Sequence, residues 1–126
     1  NEDKVCFLGH KNNLKNYLSI RENLMIQGLK LDSFNLDLLE KFNLRRHIDN
    51  SVGTLSFGQQ KKISLIRVLN SVENILILDE PFVGLDQKSK EFLKDFMEAE
   101  VKKNKTIIFT SHIDFKDDYR EIKING

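Results

Sequence analysis

The sequence predicts an α/β fold: a mostly parallel sheet with a small helical subdomain. Residues 74–79 form a nearly continuous apolar run, the form of a strand buried on both faces of a parallel sheet. Residues 106–110 form a second such run, and an amphipathic stretch long enough for a helix separates the two. Residues 4–9, Lys4-Val5-Cys6-Phe7-Leu8-Gly9, read as a further strand that ends at a glycine. Buried strands alternating with helices are the pattern of a parallel sheet covered by helices.

In chain order, the first strand is followed by a mostly polar loop over residues 12–16. Ser19 is placed to cap a helix that carries residues 23–27, with Glu22 at the capping-box position. Leu36, Leu38, Leu39 and Phe42 give a second helix a short apolar face. Residues 50–53 are a loop. A helix is predicted over residues 58–70, where Ile63, Leu65, Ile66, Val68 and Leu69 cover most of the circumference, so it is buried. Pro81 and Gly84 break the chain after the central strand. Residues 87–103 then read as a helix with Phe92, Leu93, Phe96, Met97 and Val101 on one stripe. A last strand is expected over residues 119–124, before the turn signal Asn125-Gly126.

At 126 residues the chain is one domain or part of one. It begins at Asn1 rather than Met and enters at once into a strand, which predicts further sequence upstream; the final turn predicts a partner strand downstream. Twenty Lys and Arg against nineteen Asp and Glu leave a formal charge of +1, so there is no electrostatic case for nucleic acid. The apolar runs are too short to span a bilayer, and the start has no secretory apolar core. The one cysteine, Cys6, reads as a small buried hydrophobe in a reducing, cytosolic setting.

Parallel sheets place their ligand sites at the carboxyl ends of strands, where Gly9-His10, Asp79-Glu80 and Ser111-His112 fall. Adjacent carboxylates at the end of an apolar strand are costly without a cation or a proton. Mg²⁺ bound to nucleotide phosphates would compensate them, and the second carboxylate could polarise a water; equally, Asp-Glu-Pro could simply turn a strand into solvent. Ser56 and Gly58 open the predicted buried helix. They offer a hydroxyl and bare N–H groups at the positive end of a dipole, an anion site, unless Ser56 is only a helix cap. His112 is either a structural residue or a partner for a phosphate or an attacking water.

Taken together, Leu55-Ser56-Phe57-Gly58-Gln59, then residues 75–80 with Pro81, then Gly84-Leu85-Asp86, then Ser111-His112 resemble the ABC ATPases over the whole chain. The resemblance implies a partial P-loop NTPase fold, with residues 11–57 as helical subdomain and signature and residues 1–10 and 58–126 as part of the catalytic core. It implies ATP and Mg²⁺ as ligands, with Asp79 on the metal and Glu80 and His112 as catalytic residues. Leu55, Ser56, Gly58, Gln59, His10 and Asp86 would contact nucleotide, Asp86 from a D-loop at a dimer seam. Phe57 departs from the small residue usual at its place. The sequence contains no G-x-x-x-x-G-K-[ST] run, since none of the glycines at 9, 28, 53, 58, 84 and 126 is followed by lysine. These 126 residues alone are therefore expected to hold ATP poorly and not to hydrolyse it. In the family the P-loop strand lies beyond the strand of His112, so a bare edge is expected there.

Phe7-Leu8-Gly9-His10, Leu14 and the run Leu18-Ser19-Ile20-Arg21-Glu22-Asn23-Leu24 resemble the Q-loop region, with His10 where most ABC domains have glutamine. Leu-Gly-His there is similar to the ATP-binding subunits of haem exporters of cytochrome c maturation. The resemblance implies a homodimer of ATP-binding subunits at the cytoplasmic face of the inner membrane, docked on integral membrane permease subunits. The alternatives are an ABC ATPase for another substrate, or a non-catalytic remnant that only binds a partner. ABC-like ATPases of DNA repair are disfavoured, because the segment between His10 and Leu55 has no sustained heptads.

Overall fold

The computed structural model describes residues 4–111. Three strands, β1 (Val5–Leu8), β2 (Ile75–Leu78) and β3 (Thr106–Phe109), form one sheet in the order β1-β2-β3. Both pairings are parallel, with Leu8, Leu78 and Phe109 in register. Helices α1 (Ile20–Ile26) and α2 (Ser33–Lys41) and two short 3₁₀ turns stand between β1 and α3 (Phe57–Leu69); α4 (Gln87–Lys102) joins β2 to β3. The expected strand over residues 119–124 lies outside the described residues, as does His112.

Each helix start has a local cause. Ser19 accepts from the Glu22 N–H while Glu22 accepts from the Ser19 N–H, both at 3.0 Å, so the capping box at α1 is complete. Asp32 caps α2, and Asp86 caps α4. The segment leading into α1 is clamped by Asn23, only 3% exposed, whose amide exchanges hydrogen bonds with the backbone of Lys15 and also donates to the Ser19 carbonyl. The loop leading to α3 is zipped against the same segment, with Val52 donating to the Leu18 carbonyl and Gly53 to that of Asn16, each at 2.9 Å.

α3 is buried as its composition requires: Ile63, Leu65, Ile66 and Val68 are all fully covered. It belongs to a single core that also takes in Ile20, Leu24, Leu39 and Leu44 of the helical region and Leu76, Leu78 and Leu93 of the sheet and α4. Each such burial is worth roughly 1.5–3 kcal/mol. The Arg67 guanidinium reaches from α3 to the Phe7 carbonyl and ties the helix to β1.

Two expectations need correction. The strands are not buried on both faces: Cys6, Leu8, Leu76 and Leu78 face the helices, but Val5, Phe7 and Ile108 on the other face are 49, 57 and 55% exposed, and no described element covers that face. Among the described residues β3 lies at the edge of the sheet, as the resemblance implied, and its residues alternate between exposed and intermediate instead of being buried. On α4 the stripe of Leu93 and Met97 is buried, but Val101 is 53% exposed and the charged Glu100 is buried in its stead. Glu100 tolerates burial because Lys105 at 2.8 Å and Lys103 at 3.2 Å neutralise it, and Lys105 also donates to the Ser71 carbonyl.

Candidate functional site

The parallel register brings the chain's acidic pair to one end of the sheet. β1, β2 and β3 all end at the same level, so Gly9-His10, Asp79-Glu80 and Thr110-Ser111 leave that end together. The ladder runs one step past the strands: Asp79 donates its N–H to the Leu8 carbonyl at 2.8 Å, and Thr110 donates to that of Leu78 at 3.1 Å. His10 and Asp79 therefore share one rim, as expected from sequence. His10 is exposed there.

The two carboxylates are held differently. Asp79 is half-buried, and its Oδ1 accepts the Thr110 hydroxyl at 2.9 Å. Glu80 lies at φ 46°, a left-handed conformation that costs an ordinary residue about 1–2 kcal/mol. Its N–H donates to the same hydroxyl, Thr110 Oγ1, at 2.8 Å. Lys61, on the first turns of α3, feels both acids: burial pushes its ammonium pKa down, and the charges of Asp79 and Glu80 push it back up.

The start of α3 is built on a second capping box. Ser56 Oγ accepts from the Gln59 N–H at 3.2 Å, and the Ser56 N–H donates to Gln59 Oε1 at 2.8 Å. Leu55 is buried beneath it, whereas Phe57 is 67% exposed. Gly58 packs on the loop that follows Glu80, where a side chain would strike the Gly84 carbonyl. Asp86 ends that loop. Lys62 donates to it at 2.8 Å and to the Phe42 carbonyl at 3.1 Å, linking α2, α3 and the start of α4. The Lys62 hydrogen bond, against some desolvation and with help from Ser89, lowers the Asp86 pKa to about 2.

The donor set fits a hard dication. Asp79 offers a carboxylate beside the Thr110 hydroxyl, Glu80 is the next residue at the same strand end, and Mg²⁺ commonly takes one or two carboxylates and completes its shell with water and phosphate. No group of three or more His, Cys, Asp or Glu side chains assembles among the described residues, so the fit is to an ion that brings most of its own ligands. Sequence reading missed Thr110, Lys61 and Lys62. The polar residue just past β3, level with Asp79, was the available sign for Thr110.

Residues 1–83 match the family described as ABC transporter. The chain belongs to that family. Among curated relatives, the cytochrome c biogenesis ATP-binding export protein CcmA of Roseobacter denitrificans is 32% identical over 114 residues, covering 90% of this chain and 55% of its own length. The protein of the same name from Legionella pneumophila is 32% identical over 125 residues, covering 95% of this chain and 62% of its own. The chain thus spans somewhat over half the length of these ABC relatives. Among solved structures, an ATP-binding subunit of an ABC transporter superposes with a TM-score of 0.72 at 23% identity, over 86% of this chain and 48% of that one. A dimeric bacterial ABC transporter cassette gives 0.67 at 24% identity, over 88% and 53%. The fold is that of an ABC cassette in part, a parallel sheet with helices. No described helix is long and apolar enough to cross a membrane.

Proposed function

We propose that this chain is part of the ATP-hydrolysing subunit of an ABC transporter that exports haem for cytochrome c biogenesis. The observation that carries the reading is the Asp79–Glu80 pair at the carboxyl end of β2, shared with Thr110 and beside the start of α3. The printed function of the CcmA relatives supports the export role.

In this reading Asp79 holds Mg²⁺ and Glu80 orients and deprotonates the attacking water. Mg²⁺, when bound with ATP, supplies charge neutralisation at the phosphates. Ser56 presents its hydroxyl and Gly58 its N–H to the nucleotide of a second subunit, with Leu55 and Gln59 fixing the turn that aims them. His10 serves in the Q-loop and Asp86 at the dimer seam, and His112 takes the role of the switch-loop histidine that the family resemblance implies. No G-x-x-x-x-G-K-[ST] run lies within these 126 residues, so by themselves they are expected to bind ATP weakly. The subunit sits on permease subunits at the cytoplasmic face of the membrane.

The test is Glu80→Gln in the complete natural protein that contains this sequence. Hydrolysis should slow by about 10²–10⁴-fold, the usual worth of a positioned base, while ATP binding persists and an ATP-bound dimer accumulates. Normal turnover would return Glu80 to a structural role and defeat the reading.

A further inference from the structure

One hydroxyl reaches both acids. Thr110 follows the edge strand β3, and through its backbone and side chain it bonds three consecutive residues: the Leu78 carbonyl, Asp79 Oδ1 and the Glu80 N–H, at 3.1, 2.9 and 2.8 Å. The geometry gives the hydroxyl its direction. Its proton goes to the carboxylate, and its lone pair takes the N–H. Glu80 needs such a partner, because a left-handed residue that is not glycine persists only where its surroundings over-determine it.

We propose that Thr110 is a positioning residue for both carboxylates, fixing the Asp79 side chain through Oδ1 and the Glu80 backbone through its N–H. The inference rests on the proposed function, in which Asp79 meets the metal and Glu80 the water. Valine has the shape of threonine without the hydroxyl. Thr110→Val therefore removes both bonds and leaves the packing, while Thr110→Ser restores both.

The probe is Mn²⁺, read by electron paramagnetic resonance on the complete protein with a non-hydrolysable ATP analogue, and Asp79→Asn identifies the site. Thr110→Val should weaken Mn²⁺ binding about tenfold, and Thr110→Ser should stay within about twofold of wild type. If Thr110→Val does not fold, Thr110→Ala carries the same expectation. A lower melting temperature with unchanged Mn²⁺ affinity makes Thr110 merely structural and overturns the assignment. Hydrolysis measured in parallel separates the two ideas. Mn²⁺ binding that depends on Thr110 in a protein that never hydrolyses ATP defeats the proposed function and keeps the positioning role. Active hydrolysis indifferent to Thr110→Val, with Mn²⁺ affinity unmoved, does the reverse. A wild type that takes up no Mn²⁺ at this site overturns both.

Discussion

The carbonyl oxygen of Gly84 occupies the space a side chain would need at Gly58, where a Cβ would lie 2.4 Å from it. The contact is reciprocal in effect. Gly84 has φ 83°, and a Cβ on it would lie 2.8 Å from the Phe57 ring. The start of α3 and the loop after β2 are thus pressed together backbone to backbone. The bareness of Gly58 has a cause within its own chain, before any phosphate is considered.

Gly58→Ala should therefore destabilise the fold. The methyl group adds about 1 kcal/mol of helix propensity, but the clash falls on backbone that cannot swing aside. A net loss of roughly 1–3 kcal/mol is expected from urea unfolding, as for an overpacked core. Unchanged or raised stability would mean that the loop moves freely away from α3.

Phe57→Asp tests the anion site while keeping the Gly58–Gly84 backbone contact in place. Residue 57 is the exposed first residue of α3, where a carboxylate is compatible with the helix dipole. Stability should change by no more than about 1 kcal/mol. In the complete protein, ATP-dependent dimerisation measured by light scattering should be lost, because the new charge opposes the partner's phosphates. Nucleotide affinity of the monomer should hold. Intact dimerisation would remove the trans role of Ser56 and Gly58.

The Lys62–Asp86 pair gives a pH signature. The folded pKa of Asp86 is depressed to about 2, below its unfolded value, so its stabilisation is present above the unfolded pKa. It is lost as pH falls from roughly 4 through 2. The Asp86 side chain is 53% exposed, so solvent screening holds the contribution to about 1 kcal/mol or less. Lys62→Met should flatten that part of the acid-unfolding profile. A wild-type slope retained in the variant would assign the effect to other carboxylates.

Much of this arrangement was legible in the sequence, and the reasons differ by element. Ser19-x-x-Glu22 announced α1 because a capping box is a local device that sequence spacing reports directly. Residues 75–78 announced themselves as a strand by their unbroken apolar run, and β2 is the middle strand among the described residues. Exposure was less legible. Phe7 and Ile108 look like core residues, yet whether a face is covered depends on what packs there, not on the strand itself. Glu100 was hidden for a related reason, since its burial depends on Lys105, which reaches back from the turn beyond α4. At the site, Asp79 and Glu80 declared themselves as an acidic pair after an apolar strand. Thr110 did not, because its meaning comes from the register of β3 on β2, a relation between segments 30 residues apart. The family resemblance points Asp86 toward a dimer seam, whereas its pairing with Lys62 joins residues 24 positions apart and depends on how α3 meets the start of α4.

The left-handed turn of the chain at Glu80 sets stability against activity in a single residue. Glycine adopts that conformation without steric penalty, so Glu80→Gly should relieve about 1 kcal/mol of backbone strain, partly offset by glycine's greater loss of chain entropy, while removing the proposed base. In the proposed function the strain at residue 80 is offset by what its carboxylate does for the attacking water.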